Sequence, residues 1–172
     1  MEARTYSAEV LGVREVVQAA GNGELTEEKL SDIACAVYSS DSGVSDLKEM
    51  IDGWEAFSKS FDSASLSNTI LGYLRYLRGD LAGAEEVLRK EKRNVWAYYY
   101  LIKAALGLGR LEDAGRLVAD ARGRFPDSEK LPYLAIEYFC RTRRPEDAGK
   151  ILEKISDDSD DSDASDASAA EL

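Results

Sequence analysis

The stretch "YYYLIKAALGLGRLEDAGRLVADARGRFP", Tyr98 to Pro126, decides the fold. Its first half is apolar except for Lys103 and runs to Gly109, a residue whose permissive backbone suits a tight turn. Its second half resumes with Leu111, Ala114 and Val118 at helical spacing and stops at Pro126. The reading is a hairpin of two helices. Successive helical residues point about 100° apart. Tyr98, Tyr99 and Tyr100 therefore cannot share one face, and the first helix must be covered on more than one side.

The same pattern occurs on either side. "NTILGYLRYLRGDLAGAEEVL" (Asn68 to Leu88) and "PYLAIEYFCRTRRPEDAGKILEKI" (Pro132 to Ile155) both read as helix, turn, helix. Gly79 and Gly109 mark two of the turns, and Pro145 suits the first turn of the last helix. Ala84, Ala114 and Ala148 align as the small residues where paired helices approach, and Gly72 takes the same part on a first helix. Leu71, Leu88, Leu101, Val118 and Leu152 are expected to fill the seams. The aligned alanines are 30 and then 34 residues apart. The second spacing is the tetratricopeptide period. The shortfall of four falls at "RKEKRN" and predicts a second helix about one turn short in the first hairpin.

Residues 1–60 read as helices too, and are expected to continue the stack as degenerate repeats, because a repeat array needs neighbours to bury its faces. "SAEVLGVREVVQAAGNG" should end at Gly21 to Gly23, Thr26 is a candidate N-cap, and "VSDLKEMIDGWEAFSKSF" reads as one helix. Residues 61–155 hold the clear hairpins. Residues 156–172, "SDDSDDSDASDASAAEL", carry seven acids and no base, and are expected to be disordered. The fold expected is all-α: a tetratricopeptide-like α-solenoid with a disordered acidic tail. In that tail Ser156, Ser159, Ser162, Ser165 and Ser168 recur every third residue, with Glu171 three further on. This is a candidate register for a kinase that needs an acid at the third following position.

Composition narrows the function. The 172 residues include no histidine, which removes His-based triads and the usual zinc ligand. No Gly-rich phosphate loop or metal-ligand spacing stands out, so no catalytic, cofactor or metal residue is nominated. A net charge of −11 without a large basic stripe argues against nucleic acid. No apolar run approaches the roughly 18–20 residues that cross a bilayer. Cys35 and Cys140 form no C-x-x-C pair and are expected to be small buried side chains. The sequence reads as cytosolic.

If the first helix of each hairpin lines a concave wall, the inward set is Leu66, Tyr73, Tyr76, Leu77, Trp96, Tyr99, Leu106 and Tyr133. Such a set of aromatic and aliphatic side chains would be a partner-binding groove.

The run "GAEEVLRKEKRNVWAYYYLIKAALGLGRLEDA", Gly83 to Ala114, resembles the middle of coatomer epsilon subunits. There a truncated second helix leads into an "L-x-R-L-x-x-A" turn, represented here by Leu108, Arg110, Leu111 and Ala114. The resemblance extends through "ACAVYSSDSGVSDLKEMIDGW" and "KLPYLAIEYFC", about residues 30–155. The chain is shorter than those subunits, and its acidic serine tail has no counterpart in them. The resemblance implies a non-catalytic component of the COPI coat. Such a subunit binds and stabilises the C-terminal domain of the alpha coatomer subunit, in the cytoplasm and peripherally on Golgi membranes and coated vesicles. It serves Golgi-to-ER retrieval and intra-Golgi transport, without inserting into the membrane itself.

The rival is a tetratricopeptide adaptor for another complex, such as a chaperone-linked one. A carboxylate clamp would need cations and amides at inward positions. Those positions hold Thr69, Tyr73, Tyr100, Lys130 and Leu134, of which only Lys130 is suitable.

Overall fold

The computed structural model describes residues 12–39, 41–61 and 63–166, the last ten of these by backbone alone. Among the described residues there are ten α-helices, one 3-10 turn and no strand. The all-helical expectation holds. The chain forms two compact units, Met1–Ala104 and Ala105–Leu172.

In the first unit, α1 (Val13–Ala20) buries Val13, Val17 and Ala20 and ends at Gly21, as expected. Thr26 caps α2 (Glu27–Tyr38), its side chain accepting the Lys29 amide at 3.3 Å. Lys29 stands where a capping box would carry an acid. Its ammonium instead donates to the Asn22 and Glu24 carbonyls, each at 2.7 Å, and ties down the α1–α2 loop. The expected third helix is divided at Gly53 into α3 (Gly43–Asp52) and α4 (Trp54–Phe57), followed by the 3-10 turn Ser58–Ser60. The break lets Trp54, Phe57 and Phe61 meet with ring centroids 5.3–5.6 Å apart. Trp54 Nε1 also donates to Ser67 Oγ at 3.2 Å.

Next come α5 (Ala64–Leu77) and α6 (Leu81–Leu88). Ser63 and Asp80 cap them by accepting the Leu66 and Gly83 amides. Leu66, Ile70, Tyr73 and Leu74 of α5 belong to the same core as Val17, Leu30, Ile33 and Leu47. The first hairpin and α1–α4 therefore share one interior. That hairpin closes at Gly72, where a Cβ would lie 2.3 Å from Leu88 Cγ. Leu88 is fully buried, so it has no room to withdraw. At 8 residues, α6 is shorter than the 14-residue α8 (Leu111–Arg124), as the 30-residue spacing requires.

A further helix, α7 (Val95–Gly107), continues into the second unit. That unit then holds α8, α9 (Leu131–Arg141) and α10 (Pro145–Asp166). Ala114, Val118, Leu131, Leu134, Ala135, Ala148 and Ile151 are buried there. Leu152, expected in the seam, is 49% exposed. From Ala148 the buried stripe steps three residues to Ile151 rather than four. The segment 156–172 was expected to be disordered. The backbone of α10 is helical to Asp166, and 167–172 lie outside the described residues.

One turn geometry recurs three times. Gly79, Gly109 and Arg143 all have left-handed backbones, at φ +82°, +71° and +57°. After each, an amide reaches back five residues: Asp80 to the Arg75 carbonyl, Arg110 to Ala105, Arg144 to Phe139. These are the long bonds of a Schellman cap. Each left-handed residue stands five before the buried alanine of its hairpin, Ala84, Ala114 or Ala148. The third was hidden in the sequence, because arginine occupies a position where the other two turns have glycine.

Two outcomes are expected. Gly72→Ala should cost about 1–3 kcal/mol and Leu88→Ala about 2–5 kcal/mol. The double variant should lose less than the sum, because the new methyl enters the vacated space, and a urea-denaturation cycle reads this coupling. Arg143→Gly should raise stability by about 1 kcal/mol in the same assay, since a non-glycine left-handed residue costs roughly 1–2 kcal/mol.

Candidate partner-binding surface

The three tyrosines of α7 have three surroundings. Tyr98 is 2% exposed and belongs to the core. Tyr100 leans on α5, its ring centroid 4.5 Å from that of Tyr73 and 5.3 Å from that of Tyr76. Half-buried Tyr99 packs edge-on to Trp96 at 5.8 Å and to Tyr100 at 5.1 Å.

Beneath this surface two phenols lie against each other, Tyr73 and Tyr100. Tyr73 donates to the Leu30 carbonyl at 2.8 Å, joining α5 to α2. Burial pushes the Tyr73 phenol up from its ordinary 10.0 to about 12. Tyr100 is also raised, first by burial and then by the neighbouring Tyr73. Nearby, Tyr38 remains exposed while its hydroxyl donates to the Leu77 carbonyl at 2.6 Å.

The eight groove positions separate by burial. In the first unit Leu66 and Tyr73 are interior, at 6% and 3% exposure. In the second unit Leu106 is interior at 2%. These three are core residues, not surface for a partner. The register treated the inner face of α5 as open. In the folded chain α3 packs against α5, and Tyr73 reaches Leu30 of α2, so that face is covered. Tyr76, Leu77, Trp96 and Tyr99 are half-buried, packed on the chain at one side and open at the other. Tyr38 was not selected from the sequence, because it stands at the polar end of α2, off its buried Leu30–Ile33–Val37 stripe. In the second unit Tyr133 is exposed and borders a cavity of about 550 Å³ with Pro126, Lys130, Pro132 and Ile155.

Three carboxylate-clamp positions, Thr69, Tyr73 and Leu134, are buried. Both cysteines are exposed, which corrects the expectation of burial. Cys35 lies off the α2 stripe, and Cys140 lies off the Leu131–Leu134–Ala135 stripe of α9. Ser156 is exposed; Ser159, Ser162 and Ser165 lie on the helical backbone of α10, and Ser168 lies outside the described residues. Among the described residues, no group of three or more His, Cys, Asp or Glu side chains could hold a metal ion. Among them, too, no helix is long and apolar enough to cross a membrane.

What the surface defines is a class of chemistry: half-buried aromatic rings on a helical framework, suited to contact with apolar side chains. Comparison with protein-family models, curated proteins and solved structures returns no match for this chain.

The phenol pair has a pH signature. The raised values of Tyr73 and Tyr100 mean that the folded state holds both phenols neutral where the unfolded chain ionises them. Their stabilising contribution is intact below about pH 10 and is lost as pH rises, for Tyr73 through about 12. Stability measured by urea titration should therefore fall above about pH 10. Tyr100→Phe should flatten that fall, and an unchanged slope would contradict the assignment.

Proposed function

We propose that this protein is a non-catalytic scaffold subunit of the COPI vesicle coat. In this reading its hairpins form a tetratricopeptide-like α-solenoid. It binds the C-terminal domain of the alpha coatomer subunit and stabilises it during Golgi-to-ER retrograde and intra-Golgi transport. It works in the cytoplasm and peripherally on Golgi membranes and coated vesicles, without inserting into them. Segment 156–172 takes no part in the array, because its composition, mostly serine, aspartate and alanine, offers no apolar face to pack.

The observation that carries this reading is the repeated turn. Three left-handed residues, each five before a buried alanine, are spaced 30 and then 34 apart, with the shorter interval absorbed by an 8-residue α6. A shortened second helix followed directly by an aromatic α7 is the feature in which the chain resembles coatomer epsilon subunits. The half-buried set Tyr76, Leu77, Trp96 and Tyr99 supplies apolar, conformationally stiff contacts of the kind that anchor protein interfaces.

A tetratricopeptide adaptor for another complex remains the second reading. Its carboxylate-clamp form is disfavoured, because three of the five clamp positions are buried.

Affinity purification from native cells, with identification of the co-eluting chains, separates the two. The coat reading expects the alpha coatomer subunit. Recovery of a chaperone in its place supports the adaptor. Trp96→Ala or Tyr99→Ala should weaken the complex by about 2 kcal/mol or more if these rings are anchors. Recovery of the alpha subunit at wild-type levels by both variants would remove this surface from the interface.

A further inference from the structure

We propose that the C-terminal segment is a phosphorylation ladder, written from Ser168 back to Ser156, that unwinds the end of α10. It stands independently of the coat reading. Every serine in the last 17 residues falls on one three-residue register, 156, 159, 162, 165 and 168, and no lysine or arginine interrupts it. Glu171 completes the register. A serine kinase that requires an acid at the third following position finds one acceptable site at the start, Ser168 ahead of Glu171. Each of the other four has a serine at that position.

The chemistry then propagates itself. The kinase transfers the γ-phosphoryl group of a nucleoside triphosphate to Ser168 Oγ. The new Oγ–P bond replaces the γ-phosphorus–bridging-oxygen bond, the hydroxyl proton passes to the kinase's base, and the nucleoside diphosphate leaves. Phosphorylated Ser168 now supplies the acid for Ser165, and so on to Ser156. Each phosphate adds about −1.5 to −2 charges, so the full ladder adds about −7.5 to −10.

The fold gives this a structural output. In an antiparallel hairpin the 11 residues of α9 are matched by the first 11 of the 22-residue α10, so α10 outruns its partner from Ser156 onward. Its buried stripe fades there, from Ala148 and Ile151 through half-buried Ile155 to exposed Ser156. The overhang is made of serine, aspartate and alanine only. Ser and Asp are weak helix formers, carboxylates oppose the dipole at a helix C-terminus, and like charges three and four apart repel. These last turns cost little to open for a kinase that binds extended chain. Added phosphates then hold them open.

The test uses the full-length protein, an acid-directed serine kinase and ATP, followed by time-resolved fragmentation mass spectrometry. Phosphates should appear in the order Ser168, Ser165, Ser162, Ser159, Ser156. Glu171→Gln should slow all five at least tenfold. Ser162→Ala should leave Ser165 and Ser168 modified and block Ser159 and Ser156. Far-UV circular dichroism should show helix lost as the ladder fills. Unordered modification, wild-type rates at Ser156 and Ser159 in Ser162→Ala, or unchanged helicity at full occupancy would overturn the proposal. So would an entirely unmodified tail, in the kinase reaction or in protein isolated from its own cells.

Discussion

Two helices can lie close together only where one of them gives up its side chain. Everything in the first hairpin depends on that condition at Gly72, whose missing Cβ is the space filled by Leu88. Ala84 on α6 and Ala148 on α10 are the corresponding small residues of their pairs, and both are buried, as is Ala114 on α8. The turns make these meetings reproducible. A left-handed residue at Gly79, Gly109 or Arg143 sets where the following helix starts, and the buried alanine comes five residues later. At 3.6 residues per turn this offset fixes which side of the second helix faces its partner. The close approach and the turn are thus one constraint seen at two places.

The distribution of the tyrosines follows from the angle between successive residues of α7. Packed on several sides, α7 uses one ring for the core, one to join α5 and one at the surface. The Tyr73–Leu30 bond gives a buried phenol its hydrogen bond, without which burying it would be costly. The apolar surface left over is smaller than a continuous inner wall would be, because the N-terminal helices cover part of α5.

The hairpins were legible in the sequence because their signals are local: Gly79, Gly109, Pro145 and Pro126 act on the backbone within a few residues of themselves. The shortness of α6 was legible for a related reason, since a change of spacing between matched alanines has to be absorbed somewhere. What the sequence concealed was tertiary. Nothing local to Leu66 or Tyr73 tells that α2 and α3 will cover them. Arg143 conceals a left-handed turn because its identity favours another conformation, and packing overrides that preference. Gly53 was visible, but the break it makes is needed by three aromatic rings that meet only in the folded chain. At the surface, Trp96 and Tyr99 were legible as candidates. Tyr38 was not, because its hydroxyl reaches a carbonyl 39 residues away.

The brevity of α6 has an architectural consequence. Leu88 is both the last residue of that helix and the plug opposite Gly72. The helix therefore stops at the residue it can least spare, and the link from Arg89 to Asn94 bears all the variation in length the hairpin can accept. Insertions there, to either side of the buried Glu91, would lengthen a connection and leave Leu88 in its place. Deletions would soon draw on the plug itself. Thirty residues is accordingly close to the floor for a hairpin of this design, and the joint before α7 is where a longer or shorter cousin of the protein would differ first.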